Sequence, residues 1–490
     1  MIQVYNREMF GITGVVRKQG SAQFTRLLSL SRLFCSKASF TYTPLPNKRY
    51  IRIRGPDTVK FLNGLVTSKL LPTYVKKNLT TISPDDLKMD ISRNIEEFDM
   101  SKSNWGLFNE VGELGPYISR FGTYTGILNS KGKLITDSII YPTPIWLDQI
   151  HSKKYPEYLL EFDHSVGERM YHIFDTHRLT SKVKFKMIPP GKLKTWHVSI
   201  KFPELSAEEE NPWIENLIIP SESLKNPEQS LEFTRHIMST FFNGSEDKIL
   251  GIYVDKRTSD ILSENNSEAQ VFRITTKEDI EDISQLFNPQ GFPFDFDLKW
   301  TTASKVRDER FRNGILDSVS DYKQDTLLPL EINFDYYNNA VSFDKGCYVG
   351  QELTARTFST GILRKRLVPV RITNSELLHT DSTRNYFDIF SDSQSTKLSN
   401  NKEETTPHNP FGNAAKPARL RKERPAGSLI AFEKEYGVAL LRTEHFTTAF
   451  LEDVKPNFYI MIPDSNTKVP VKPQKPFWLD YWLEDNSTNS

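Results

Sequence analysis

The chain has 490 residues, of which 38% are hydrophobic and 26% charged, and its formal net charge at neutral pH is +1. This length exceeds what one hydrophobic core usually serves, so we expect two or three domains. A net charge this small gives no overall attraction to nucleic acid or to an anionic membrane. No stretch approaches the roughly 20 apolar residues that span a bilayer. We therefore expect a globular chain with no nucleic-acid partner and no membrane insertion.

The first 40 residues differ in composition from the rest of the chain. Their only acid is Glu8, whereas their cations are Arg7, Arg17, Lys18, Arg26, Arg32 and Lys37. A cationic, serine-containing and acid-poor N terminus is typical of a mitochondrial presequence, and we interpret residues 1–40 as one. A disordered basic tail is the alternative. The two cysteines, Cys35 and Cys347, argue against a disulfide framework and indicate a reducing compartment.

Strands and helices alternate in the part of the chain that follows. In order, the patterns predict a strand at 50–53, a helix at 57–69, strands at 121–128 and 134–141, a strand at 158–162, a helix at 166–178 and a strand at 182–187. The turn residues at 129–132 predict that the second and third of these strands form a hairpin. This βαβ order with an added hairpin predicts an α+β fold with a ferredoxin-like layer.

The helical periodicity stops beyond residue 366. Short strand-like runs at 367–372, 428–432, 436–441 and 458–462 predict a small β-barrel or sandwich. Residues 374–424 are rich in Ser, Thr, Asn, Pro and charge, so we expect them to form an inserted disordered loop.

The chemistry of the chain centres on the octapeptide KGCYVGQE at 345–352. No nucleophile elbow, dinucleotide fingerprint, H-E-x-x-H or C-x-x-C motif occurs, so hydrolase, dehydrogenase and zinc-protease functions lose support. An iron-sulfur cluster normally takes four protein ligands, and Cys347 can offer one thiolate to a cluster bridged with another protein. From composition alone, a buried and inert cysteine is the alternative.

Residues 328–357 resemble the signature of the YgfZ-type family. The matching segments are LPLEINFD at 328–335, VSFD at 341–344 and KGCYVGQELTART at 345–357. Supporting matches are RIRGPD at 52–57, Gly132 and Lys133 together with Asp137, and RKR at 364–366. The family belongs to the folate-binding, aminomethyltransferase-like fold, so the resemblance implies a three-domain cloverleaf around a folate-sized hole.

The resemblance also implies how the chain is divided. A discontinuous first domain at 41–150 and 285–365 would carry the signature loop, which would face the hole. A second α+β domain would occupy 151–284, and a C-terminal β domain with the insertion would occupy 366–490.

The mitochondrial member of the family is implied to be a matrix protein that acts late in iron-sulfur biogenesis. It would work with A-type scaffold proteins to mature [4Fe-4S] clusters of aconitase-like and radical enzymes, with tetrahydrofolate as its ligand and a shared iron-sulfur cluster as a further candidate. Cys347 would be the reactive or metal-ligating atom, and Asp137 the second catalytic candidate. The implied cofactor-binding residues are Lys345, Gly346, Tyr348, Gly350, Gln351, Glu352 and Arg356.

Two other functions remain open from the sequence. The chain would be a folate-dependent one-carbon transferase with an unknown acceptor if Asp137 acted at a folate nitrogen and Cys347 only shaped the pocket. It would be a folate-binding module if it had neither role.

Overall fold

The computed structural model describes residues 37–70, 106–143 apart from 113, residue 145, 155–202, 211–258 apart from 243, 261–262, 268–378 apart from 293, 386–392, 424–451, 456–462 and 467–487. The predicted presequence lies outside the described residues except for its last four positions, where Ala38 already begins a strand.

The described residues form strands that recur along the whole chain. In order they are β1 (Ala38–Leu45), β2 (Lys48–Arg54), β3 (Leu107–Asn109), β4 (Tyr117–Ser119), β5 (Thr123–Leu128), β6 (Leu134–Pro142), β7 (Glu157–Asp163), β8 (Lys184–Met187), β9 (Leu193–Lys201), β10 (Ile249–Val254), β11 (Gln270–Lys277), β12 (Phe296–Trp300), β13 (Lys365–Ile372), β14 (Phe387–Ser391), β15 (Gly427–Glu433), β16 (Tyr436–Arg442), β17 (Phe458–Ile462) and β18 (Thr467–Pro473).

The α-helices are short and lie between these strands. They are α1 (Thr58–Asn63), α2 (Gly167–Arg178), α3 (Ile219–Glu222), α4 (Pro227–Phe241), α5 (Ala303–Arg312), α6 (Gln351–Thr360), α7 (Thr443–Leu451) and α8 (Leu479–Ser487). None of the described helices is long and apolar enough to cross a membrane.

Two five-stranded sheets form the first part of the molecule. Sheet I has the order β10-β11-β9-β1-β12, and sheet II has the order β5-β6-β7-β2-β8. The predicted hairpin is confirmed, because β5 and β6 pair in antiparallel register with Gly126 opposite Asp137. The two sheets face each other: the Tyr50 hydroxyl on β2 lies 2.7 Å from the Thr195 hydroxyl on β9.

Helices cover the outer faces of the sheets. On sheet II, the ring of Phe174 on α2 lies 5.5 Å from Phe61 on α1 and 5.6 Å from Phe185 on β8. The amphipathic helix α4 begins at Pro227, where the Asn226 side chain accepts a hydrogen bond from the Gln229 amide, and its Phe233 packs in the core of sheet I. The expected α+β fold is therefore confirmed.

Strand pairing groups the chain differently from the predicted division at residue 150. Strands β7 and β8 pair with β2, so residues 157–187 belong to the same sheet as 48–54. Strand β1, although adjacent to β2 in the sequence, belongs to sheet I, where it pairs with β9 and β12. Non-local pairing of this kind leaves no mark in local periodicity, so the partners of β1 could not be predicted from the sequence, whereas the strands of sheet II were predicted to share one layer.

The C-terminal strands close into a barrel of order β13-β16-β15-β14-β17-β18, which confirms the predicted small barrel. Strand β14 lies inside the segment 374–424 that we predicted to be disordered, so that prediction was too broad. Ile389 is fully buried in this strand and pairs with Gly427. Its short apolar pattern was hidden by polar residues on both sides. Residues 379–385 and 393–423 lie outside the described part of the chain.

Candidate functional site

The signature loop is fixed at its start by Lys345. The ammonium of Lys345 donates hydrogen bonds to the backbone carbonyls of Val66, at 2.7 Å, and Ser68, at 2.8 Å, and it lies 4.5 Å from the ring centre of Tyr348. Burial lowers the pKa of Lys345 to about 7, and the nearby Glu110 carboxylate opposes this shift. The lysine therefore anchors the loop to the segment after α1 and does not extend into solvent.

Gly350 determines the direction of the chain where the signature loop joins α6. It is the N-cap of α6 with φ +79°, a left-handed conformation that L side chains rarely adopt. A Cβ at this position would lie 2.3 Å from the carbonyl oxygen of Asn129. Gly132 makes the reciprocal approach, since a Cβ there would lie 2.9 Å from the carbonyl oxygen of Gly350. The β5–β6 turn and the signature loop thus pack backbone against backbone.

Tyr348 and Gln351 make further contacts within the signature loop. Tyr348 is buried, and its amide donates a hydrogen bond of 3.2 Å to the side-chain oxygen of Gln351. Burial raises the pKa of Tyr348 to about 12, so its phenol stays neutral. Gln351 therefore holds the backbone of the loop, whereas the resemblance implied that it contacts a cofactor.

Cys347 stands outward from this frame as a free, exposed cysteine, with the half-buried Gly346 before it. The alternative of a buried cysteine does not hold, because Cys347 is exposed. Within the described part of the chain no group of three or more His, Cys, Asp or Glu side chains could hold a metal ion. A metal cluster at Cys347 would need ligands from elsewhere.

Glu352 and Arg356 point away from the loop. They form an ion pair of 2.9 Å on the outer surface of α6, with 86% and 67% of the two side chains exposed. The spacing of four residues favours this pair on any exposed helix.

The other signature residues hold the loop region against the barrel. The Arg366 guanidinium pairs with Asp335 at 2.6 Å and also donates to the Asn333 side chain. Asn333 in turn donates to the carbonyl of Leu367 on β13, and Glu331 accepts from the amide of Leu328. These residues have a structural role at the junction between sheet II and the barrel.

Asp137 lies on β6, and none of its hydrogen-bond partners belongs to the signature loop. Its carboxylate accepts hydrogen bonds from the hydroxyls of Tyr124, at 3.1 Å, and Tyr322, at 3.0 Å, and from the Ser318 amide at 3.1 Å. Burial raises the pKa of Asp137, and the neighbouring Asp317 carboxylate raises it further. Three donors therefore take three of the roughly four acceptor positions of this carboxylate.

An ionic network between the two sheets was missed by the sequence reasoning. Arg273 on β11 bridges Glu161 on β7, at 3.2 Å, and Asp317, at 2.5 Å. Further pairs are the buried Arg257 with Asp255 and the partly buried Arg310 with Asp321. Charged residues inside otherwise apolar strands, such as Glu161 in EYLLEFD and Arg273 in QVFRITTK, were the available signal.

A small crevice, partly open to solvent, lies within this network and has room for at most about one water molecule. Its lining includes Lys48, Asp137, Glu161, Arg273 and Asp317.

Comparison with known proteins places the chain in a family. It is 49% identical over 454 residues to the iron-sulfur cluster assembly factor IBA57, mitochondrial, of Saccharomyces cerevisiae, and the match covers 91% of this chain and 90% of the relative. The chain belongs to this family of mitochondrial iron-sulfur cluster assembly factors. The IBA57 homologue of Candida glabrata is 42% identical, with 98% of this chain and 99% of the relative covered. The IBA57 homologue of Kluyveromyces lactis is 43% identical, with 90% and 92% covered.

Two further comparisons concern the fold. Residues 364–481 match the family model described as CAF17, C-terminal beta-barrel domain, which agrees with the closed barrel. A crystal structure of the glycine cleavage system aminomethyltransferase T from Bartonella henselae aligns with a TM-score of 0.46 and 8% identity, covering 90% of this chain and 87% of that chain.

As a member of the IBA57 family, the chain is a mitochondrial protein that assists iron-sulfur cluster assembly.

Proposed function

We propose that this chain acts late in mitochondrial iron-sulfur biogenesis, where Cys347 supplies one thiolate to a cluster shared with a partner protein. The cluster is cargo: it arrives with the partner and leaves for a client enzyme. The chain contributes a ligand atom held in a fixed position, and a surface against which the partner can dock.

The exposed thiol on an anchored loop is the observation that carries this proposal. Lys345 and Gly350 fix the loop on both sides of Cys347, through the carbonyls of Val66 and Ser68 and through the β5–β6 turn. A ligand loop that is already ordered loses little conformational freedom when a cluster binds. Because the sequence contains only one other cysteine, Cys35, the remaining ligands must come from a second protein or a small thiol.

The partner class follows from the family and from this ligand count. The relatives are named mitochondrial iron-sulfur cluster assembly factors. The signature resemblance points to A-type scaffold proteins as the source of the cluster and to [4Fe-4S] enzymes of the aconitase-like and radical types as clients. This chain would meet the scaffold proteins and the client enzymes in the mitochondrial matrix.

Tetrahydrofolate does not fit the residues that the resemblance assigned to it. Asp137 is buried, and its carboxylate already accepts hydrogen bonds from Tyr124, Tyr322 and the Ser318 amide. Glu352 and Arg356 are bonded to each other on the surface of α6. We therefore assign no step of the proposed function to folate.

Cluster sharing can be tested with purified proteins. We would mix the chain with an A-type scaffold protein that carries a [2Fe-2S] cluster and record circular dichroism between 300 and 700 nm, which reports the cluster ligands. The spectrum should change on adding wild type or Cys35→Ser, the matched cysteine control, and should stay that of the scaffold on adding Cys347→Ser. An identical change with Cys347→Ser would refute the thiolate role.

A further inference from the structure

Strand β12 is an outer strand of sheet I, and its outer side has no strand paired to it in the described part of the chain. It pairs only with β1, in parallel, and the Thr301 amide that follows it donates to the Tyr42 carbonyl of β1. Successive residues of a strand direct their backbone groups to alternate sides. The amides and carbonyls of Phe296, Leu298 and Trp300 therefore point away from β1.

The side chains of these three residues extend the aromatic core of sheet I to its edge. The ring of Phe296 lies 4.6 Å from that of Phe40, and the ring of Trp300 lies 5.5 Å from that of Tyr42. The two β1 residues are buried, whereas Leu298 is 36% exposed and Trp300 is 57% exposed. Exposed apolar side chains on an unpaired edge strand favour pairing with a further strand.

The other outer strands of the two sheets differ from β12. Strand β10 accepts a hydrogen bond from the Gly122 amide, and β5 accepts one from the Thr67 amide. Strand β8 carries the exposed Lys184 and Lys186, and lysines on an edge strand oppose pairing with another strand. Within the described residues, β12 is thus the outer strand that combines unpaired backbone groups with exposed apolar side chains.

The sequence of β12, FDLKW, is complementary to itself in antiparallel register. If two copies pair about Leu298, Phe296 lies opposite Trp300 of the second copy, and Asp297 lies opposite Lys299 of the second copy. The oppositely charged residues occupy the positions without hydrogen bonds, where facing side chains approach most closely. Because the arrangement is two-fold symmetric, the ion pair forms twice. Lys299 therefore favours this pairing, whereas the lysines of β8 have no acid on their strand to meet.

We propose that two copies of this chain form a symmetric dimer by antiparallel pairing of their β12 strands. The outward backbone groups would supply up to about six hydrogen bonds, and the two copies of sheet I would become one continuous sheet. Each copy uses its free edge, so association stops at the dimer. An interface built on one short strand is small, so we expect a dissociation constant in the micromolar range or weaker. This inference does not depend on the proposed function.

Sedimentation velocity of the purified chain between about 1 and about 200 µM tests the dimer. The sedimentation coefficient of wild type should rise from the monomer value toward the dimer value. Asp297→Lys places a cation opposite Lys299 of the second copy at two symmetric positions, so it should weaken dimerisation at least about tenfold. Asp297→Lys/Lys299→Asp exchanges the two charges and should restore the dissociation constant to within about threefold of wild type.

Two further variants separate this contact from general effects of charge and folding. Glu278→Lys is the matched control, because Glu278 pairs with Lys192 at the surface as Asp297 pairs with Lys37, with almost equal exposure, and it should dimerise like wild type. Leu298→Pro removes an outward amide and leaves the pairing with β1 intact. It should be monomeric, with a melting temperature within a few degrees of wild type.

The inference is overturned if wild type stays monomeric up to the highest concentration, or if species larger than a dimer accumulate. Dimerisation of Asp297→Lys at the wild-type level would also overturn it, as would failure of the charge exchange to restore the dimer. Cys347→Ser should dimerise like wild type. A loss of cluster sharing in that variant therefore bears on the proposed function and not on the dimer.

Discussion

At the scale of single residues, the position of Cys347 depends on Gly350. This glycine combines a left-handed backbone with a close approach to Asn129, whereas Gly361 at the end of α6 has φ +65° and nothing within 4 Å of the point that a Cβ would occupy. Substitutions at Gly361 therefore test backbone strain alone, whereas substitutions at Gly350 test backbone strain together with a steric clash.

We predict that Gly350→Ala destabilises the protein by about 3 kcal/mol and Gly361→Ala by only about 1 kcal/mol. Urea unfolding followed by fluorescence would measure both changes. Gly350→Ala should also increase the rate at which a maleimide labels Cys347, because the loop loses its contact with the β5–β6 turn. Equal destabilisation by the two substitutions would show that the contact with Asn129 is unimportant.

Much of the site could be predicted from local sequence. The signature identified the thiol and its two glycines, and the four-residue spacing of Glu352 and Arg356 already favoured an ion pair on a helix. The inward direction of Lys345 could not be predicted, because its carbonyl acceptors at Val66 and Ser68 are distant in the sequence. Two of the three donors around Asp137, Ser318 and Tyr322, lie more than 180 residues away, so its surroundings were also largely hidden.

At the scale of secondary structure, the barrel defines which part of the polar segment is needed. Phe387 on β14 pairs with Leu429 on β15, so the two strands are adjacent and a short connection can join them. Closing a shorter loop changes the free energy of unfolding only slightly.

We predict that replacing residues 394–421 with a short Gly-Ser linker leaves the melting temperature within a few degrees of wild type. A deletion that begins at residue 386 should instead lower it strongly, because it removes β14 and opens the barrel. Differential scanning calorimetry of both variants makes the comparison. A large loss of stability in the shorter deletion would contradict this assignment.

The barrel strands also show which elements local sequence can reveal. Strands β13, β15, β16 and β17 were predicted because their apolar alternation is local. Strand β14 was missed because five residues with two buried side chains lie within a long polar segment. The assignment of β1 and β2 to different sheets depends on pairing partners more than 100 residues away, which periodicity does not encode.

At the scale of the whole molecule, the ionic network ties sheet I to sheet II. Burial alone would raise the pKa of Asp317, but Arg273, Lys48 and Arg310 hold it well below its ordinary value. The pKa of Asp317 is therefore lower in the folded than in the unfolded chain. Its contribution to stability is present above the unfolded value, near pH 4, and is lost as the pH falls through the folded value.

We predict that Asp317→Asn lowers the free energy of unfolding at pH 7 by about 3–5 kcal/mol, because Arg273 loses a buried partner. The difference from wild type should shrink as the pH falls below about 4. Urea titrations at pH 7, 4 and 3 measure it, with Asp297→Asn as the control because Asp297 pairs with Lys37 at the exposed surface. A difference independent of pH would contradict the assigned role of the Asp317 carboxylate.

The central claim is that the Cys347 thiol carries the function of the family in this chain. The most direct measurement is aconitase activity in mitochondria depleted of the chain and rescued with wild type, Cys347→Ser or Asp137→Asn, with a [2Fe-2S] enzyme as the internal reference. Immunoblots would match the amounts of the three proteins. Asp137→Asn is the comparison variant because Asp137 is buried and its hydrogen-bond donors lie outside the signature loop.

We predict that depletion lowers aconitase activity and spares the [2Fe-2S] enzyme. Wild type and Asp137→Asn should restore the activity, whereas Cys347→Ser should not. Full rescue by Cys347→Ser at matched protein levels would contradict the claim.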